Sequence, residues 1–172
     1  MPVRSCSVTV IRDPACVPEA RRWVRAQVAG WGVQLDDHSQ AAIEVVTSEL
    51  VTNAVRHTTA TWLTVGLYAN PRLRRVLVEV YDGSAALPRV RMVGPDQESG
   101  RGLLLVERLS LKHGAERTER GKKVWAELEL PEQPLMRRQL MGHPRRAARA
   151  LARQRSGHRR PRIRPPWPSP AR

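Results

Sequence analysis

The sequence predicts an α+β fold: a two-layer sandwich in which a mixed, mostly antiparallel sheet is covered by helices on one face. Three observations predict it. The element order reads β-α-α-β-β-loop-α-β-β. The later strands come in pairs joined by short turn-forming segments, which makes them hairpins. Strands are also more numerous than a doubly wound α/β chain would give, so the helices gather on one side of the sheet.

The elements follow in order. Residues 5–12 (SCSVTVIR) alternate and read as a strand. Residues 18–30 (PEARRWVRAQVAG) read as a helix, with Pro18 in its first turn and Gly30 at its end. Trp23, Val24, Gln27 and Val28 recur there at helical spacing. Asp36 and Asp37 are placed to cap the next helix, which runs to about His57. Ile43, Val46, Leu50 and Ala54 form its apolar stripe. Residues 61–69 and 75–82 are β-rich and alternating, and the NPRLR segment between them is turn-like. Residues 83–99 carry Gly, Pro and Ser without a clear period, and a connection of that length suits a lid. Residues 101–110 (RGLLLVERLS) read as a short apolar helix, and residues 111–119 and 122–130 as a second strand pair turning at Arg120-Gly121.

Composition separates a body from a tail. The chain has 172 residues and a formal charge of +14. Residues 132–172 hold twelve Arg and a single acid, Glu132, whereas residues 1–131 hold eighteen bases and fifteen acids. The expected organisation is one domain over 1–131 and a basic Arg/Pro-rich tail over 132–172, part helical and part disordered. Arg outnumbers Lys 27 to 3, as high-GC codon usage would produce. Cys6 and Cys16 are too few for a disulfide framework, and no Cys/His set has zinc-finger spacing. No apolar run approaches a membrane span and the N-terminus lacks a long apolar segment, so the expectation is a soluble, cytoplasmic protein.

Three segments stand out chemically. The first is TSELVTNAVRHT, residues 47–58, which sets Glu49 and Asn53 one turn apart in an apolar helix. Spacing of four stacks them on one face, displaced about 100° from Leu50 and Ala54, so they border the core. A carboxylate can accept a hydroxyl proton and an amide oxygen can hold Mg²⁺; a solvated helix face would carry the same pair. The second is Tyr81-Asp82-Gly83-Ser84 at a strand end. It reads as a turn, or as a carboxylate accepting from an adenine amino group with Gly83 admitting the ring. The third is Gly100-Arg101-Gly102 opening a helix. It reads as a loop end, or as a phosphate seat made of free backbone N–H groups. A Rossmann fingerprint is excluded because Leu105 stands where its third Gly belongs, and a P-loop because Gly121-Lys122 is followed by Lys123.

Taken together, the segments resemble the GHKL ATPase superfamily, which includes gyrase, MutL and histidine-kinase ATP domains. They are more closely similar to its anti-sigma-factor serine/threonine kinase branch, common in actinobacteria. SELVTNAVRH resembles that branch's N box, VEVYDGSAALP its first glycine box, GRGLLLVERLS its second, and GKKVWAEL its last strand. The likeness spans roughly residues 5–130 and implies the Bergerat ATP-binding fold. It further implies that Asn53 coordinates Mg²⁺, that Glu49 is the general base, and that Asp82 binds the adenine amino group beside Gly83 and Ser84. Gly100, Gly102 and Leu103 would form the phosphate-binding turn. Arg56 and His57 sit at the helix end, His57 as a dipole partner. Two departures are visible. Lys123 stands where the last-strand motif commonly has Thr lining the adenine pocket, and the adenine loop reads Asp-Gly-Ser rather than Asp-x-Gly-x-Gly.

The function implied is an ATP- and Mg²⁺-dependent protein kinase that binds a sigma factor and phosphorylates a STAS-type antagonist, with homodimer formation as part of the same resemblance. Two other readings stand beside it. One is a non-catalytic nucleotide-binding adaptor of the same fold. The other is nucleic-acid or other polyanion binding through the basic tail, where Trp167 alone offers stacking. A histidine-kinase reading is less attractive, because His38 lacks the acidic neighbour and downstream Pro of a phosphoacceptor.

Overall fold

The structure is a computed structural model, and it describes residues 3–84 and 101–132. The described elements are β1 (Arg4–Ile11), α1 (Cys16–Gly30), α2 (Asp37–His57), β2 (Trp62–Asn70), β3 (Arg75–Asp82), α3 (Arg101–Leu109), β4 (Lys112–Thr118) and β5 (Gly121–Glu129). They fall within a compact unit of Met1–Gln133. Most of the expected lid, Gly100 and nearly all of the basic tail lie outside the described residues.

The five strands form one sheet in the order β1-β2-β3-β5-β4. Every described pairing is antiparallel, in keeping with the expected α+β sandwich built on a mostly antiparallel sheet. The physical reason is connectivity. β2–β3 and β4–β5 are joined directly by short turns, and antiparallel strands suit such turns. The β2–β3 turn holds Arg74 at φ 54, and the Asn70 side chain accepts from Leu73 N at 3.3 Å. The β4–β5 turn leads into Gly121 at φ 144.

Alternation assigns the faces. Leu63, Val65 and Leu67 of β2, Val76, Val78 and Val80 of β3, and Val124, Ala126 and Leu128 of β5 are all buried in one cluster. That cluster also takes Ala20, Val24 and Val28 from α1 and Ile43, Val46, Leu50 and Ala54 from α2. A helix brings every fourth residue back to one side, and these residues are spaced that way. The α1 stripe accordingly starts two residues earlier than Pro18, at Cys16, and Trp23 packs at its margin.

α2 sits centrally, against α1, α3 and strands β2, β3 and β5. Its N-cap is Asp36, whose carboxylate accepts from Ser39 N at 2.7 Å. Hydrogen bonds from the Ser39 backbone and hydroxyl hold the Asp36 carboxyl below its ordinary range. Arg56 and His57 lie exposed in the last turn, where positive charge suits the helix dipole.

The other sheet face carries a charged network. Lys123 Nζ lies 3.2 Å from Glu79 and 3.4 Å from Glu116. Tyr81 Oη donates to Glu79 Oε2 at 3.0 Å, and Trp125 Nε1 to Glu116 at 3.0 Å. Burial raises the Glu79 carboxyl, and burial beside Glu79 raises the phenols of Tyr68 and Tyr81. Cys6 and Cys16 are free thiols, and burial pushes Cys6 up to about 11. Among the described residues, no helix is long and apolar enough to cross a membrane.

Candidate functional site

Glu49 and Asn53 are half-buried on α2, at the border of its buried stripe. The Asn53 amide nitrogen is buried and has no hydrogen-bond partner among the described residues. A buried donor without a partner is costly to keep, and an amide can present oxygen as readily as nitrogen. An incoming ligand would relieve that cost.

The Glu49 carboxylate reaches the first turn of α3. A Cβ built on Gly102 would overlap the Glu49 Oε2 atom and come within 2.9 Å of its carboxyl carbon. Only glycine lets the α3 backbone and this carboxylate approach so closely. Two segments far apart in sequence therefore meet. Leu103 follows in the same turn, half-buried.

Asp82 ends β3 on the helix-covered side of the sheet, in phase with Val76, Val78 and Val80. Its Oδ1 accepts from Ser84 N at 2.7 Å, so the local turn that the sequence suggests does form. Its Oδ2 is buried and lacks a hydrogen bond among the described residues. Gly83 is needed for a neighbour within the chain: a Cβ there would lie 2.8 Å from Ala60 Cβ.

The last strand differs from expectation. Lys123 pairs across from Tyr81 and points to the face opposite Asp82, where Glu79 and Glu116 hold it. Contrary to expectation, Lys123 thus does not share the sheet face of Asp82. Strand alternation puts Lys122 on that face instead, directly across from Asp82. Lys122 Nζ lies 3.4 Å from Asp82 Oδ2, with side chains 1% and 0% exposed. Sequence reasoning missed Lys122, although its phase with Val124, Ala126 and Leu128 was available.

A cavity of about 330 Å³ opens at the opposite ends of α2, β3 and β5. Asp36, His38, Arg74, Arg108 and Leu130 are among its lining residues, and it includes none of Glu49, Asn53 or Asp82. We assign it no part in the site.

A helical layer on an antiparallel sheet, with polar residues of the central helix facing a glycine at the start of a third helix, is the architecture of an ATPase-type α+β domain. The family model of the histidine kinase-like ATPase domain matches residues 11–128, and the chain belongs to that family. A crystal structure of the RsbU and RsbW domains of Rv1364c from Mycobacterium tuberculosis is similar in fold, with a TM-score of 0.56 and 21% identity. The likeness covers 74% of this chain and 32% of that one, so the present chain spans about a third of that structure's length. No curated protein matches the chain at a significant level.

Proposed function

We propose that this protein is an ATP-dependent serine/threonine kinase of the anti-sigma-factor type, which binds a sigma factor and phosphorylates a STAS-type antagonist. The observation that carries the reading is the approach of Glu49 to Gly102, next to an Asn53 amide nitrogen buried without a partner among the described residues. Membership in the histidine kinase-like ATPase family supports ATP as the nucleotide.

In this reading the N–H groups of the first turn of α3, including those of Gly102 and Leu103, hold phosphate oxygens, together with Gly100, which lies outside the described residues. Asp82 accepts from the adenine amino group, with Gly83 and Ser84 completing that strand end. Asn53 presents its amide oxygen to Mg²⁺. Among the described residues no group of three or more His, Cys, Asp or Glu could hold a metal. A cation there would take its remaining ligands from phosphate and water, as Mg²⁺ commonly does. When bound, it supplies charge neutralisation at the phosphoryl group. Glu49 accepts the proton of the substrate hydroxyl as that oxygen attacks the γ-phosphorus and the bond to the ADP oxygen breaks.

Titration of the full chain with ATP, with and without Mg²⁺, tests the reading. We expect binding by millimolar ATP, strengthened by Mg²⁺ and at least about tenfold weaker in Asn53→Ala. Absence of binding at millimolar ATP sinks the proposal. Phosphate transfer to a STAS-type antagonist should fall about 10²- to 10⁴-fold in Glu49→Ala.

One observation favours a second reading, an adaptor that binds nucleotide without turnover. The base-reading carboxylate already has a charged partner, Lys122. Binding retained with no transfer in either wild type or Glu49→Ala would identify the adaptor.

A further inference from the structure

Lys122 is an unusual residue to enclose. Its side chain is 1% exposed and lies on the core side of β5, in phase with three apolar residues. An ammonium held there is costly unless paired, and an apolar side chain would fill the space without that cost. Its partner is Asp82, but the pairing is loose. The 3.4 Å separation exceeds the 2.7–2.9 Å of a good charge-assisted hydrogen bond. Asp82 Oδ2 consequently has no hydrogen bond among the described residues. The end of the sheet thus encloses an acceptor oxygen without a hydrogen bond beside a donor that is only loosely paired with it.

We propose that Lys122 is a specificity-determining residue that donates to ring nitrogen N1 of the adenine while Asp82 accepts from the adjacent amino group. This rests on the nucleotide reading of the site above. The chemistry is complementary. The Watson–Crick edge of adenine carries an N–H donor next to a ring-nitrogen acceptor, and proteins read exposed bases through that edge. A carboxylate alone satisfies only the donor. Lys122 stands directly across β3–β5 from Asp82, so a base meeting one side chain meets the other. The insertion also gives each charge a fuller set of partners than the 3.4 Å pair supplies.

The test compares ATP with 1-deaza-ATP, which keeps the amino group and loses N1, in titrations of the full-length wild-type chain. A charge-assisted hydrogen bond predicts about 10- to 100-fold weaker binding of the analogue. In Lys122→Met, ATP should bind weaker by a similar factor, and the preference over 1-deaza-ATP should vanish. A merely structural Lys122 would weaken both ligands equally and leave that preference intact. Equal binding of the two by wild type, or a preference that survives in Lys122→Met, overturns the proposal. The wild-type comparison stands even if the variant fails to fold. Failure of wild type to bind ATP at all would sink the underlying reading along with it, whereas tight ATP binding without discrimination sinks only the role of Lys122.

Discussion

Asn53 combines two effects of opposite sign. Its buried amide nitrogen has no partner among the described residues, which costs stability, and Asn is a poorer helix former than Ala. Asn53→Ala should therefore raise unfolding free energy by about 0.5–1 kcal/mol while weakening Mg²⁺-dependent ATP binding. Parallel thermal melts and titrations check this; a loss of stability matching the loss of binding would mark Asn53 as structural. Glu79 gives a pH signature. Its side chain is 1% exposed and burial raises its pKa despite Lys123 and Tyr81. The native state thus holds the Glu79 proton to higher pH than the unfolded chain. The stability this provides is full below the ordinary glutamate value of about 4.3 and is lost as pH rises through the folded pKa. Glu79→Gln should gain stability on wild type as pH is raised from 4 towards 7, read in urea titrations across that range. The residues themselves were unequally legible. Glu49 and Asn53 announced themselves as polar residues inside an apolar helix pattern. Lys122 did not, because two adjacent lysines look alike until Val124, Ala126 and Leu128 fix which one faces inward.

The helices and hairpins follow from local chemistry. Asp36 caps α2, fourth-residue spacing builds the α1 and α2 stripes, and alternation builds β2, β3 and β5. These signals lie within a few residues of each other, so sequence reading recovers the elements, with ends displaced by one or two positions where helix starts and strand ends fray. The β4–β5 hairpin depends on one glycine. Gly121 has φ 144, and a Cβ there would overlap the Asp82 carbonyl and lie 2.8 Å from Gly83 backbone atoms. Gly121→Ala should cost about 1–3 kcal/mol, read as a lower urea midpoint. Because Asp82 and Lys122 lie beside that glycine, ATP binding should fall with it. A change under about 0.5 kcal/mol would mean the turn relaxes freely.

Sheet order was the least legible feature of the fold. β3 and β5 are neighbours although α3 and β4 intervene in sequence. Such pairing depends on which faces fit together after collapse, and no short window of residues encodes it. The approach of Gly102 to Glu49 has the same origin. Charge distribution, by contrast, reads directly from composition. Twelve Arg fall within residues 132–172, against a nearly balanced remainder. The full chain should bind a polyanion such as heparin with a steep salt dependence, and a chain ending at Pro131 should lose most of it. Equal retention of both chains on the polyanion across a salt series would contradict this.

The contact between Gly102 and the Glu49 carboxylate also constrains how this protein can change over generations. A side chain can enter at position 102 only if the Glu49 carboxylate swings away from the first turn of α3 or residue 49 is shortened. Either route removes the carboxylate from its place beside that turn. Drift at the two positions should therefore be correlated, with residues larger than Gly at 102 enriched beside a residue at 49 shorter than Glu.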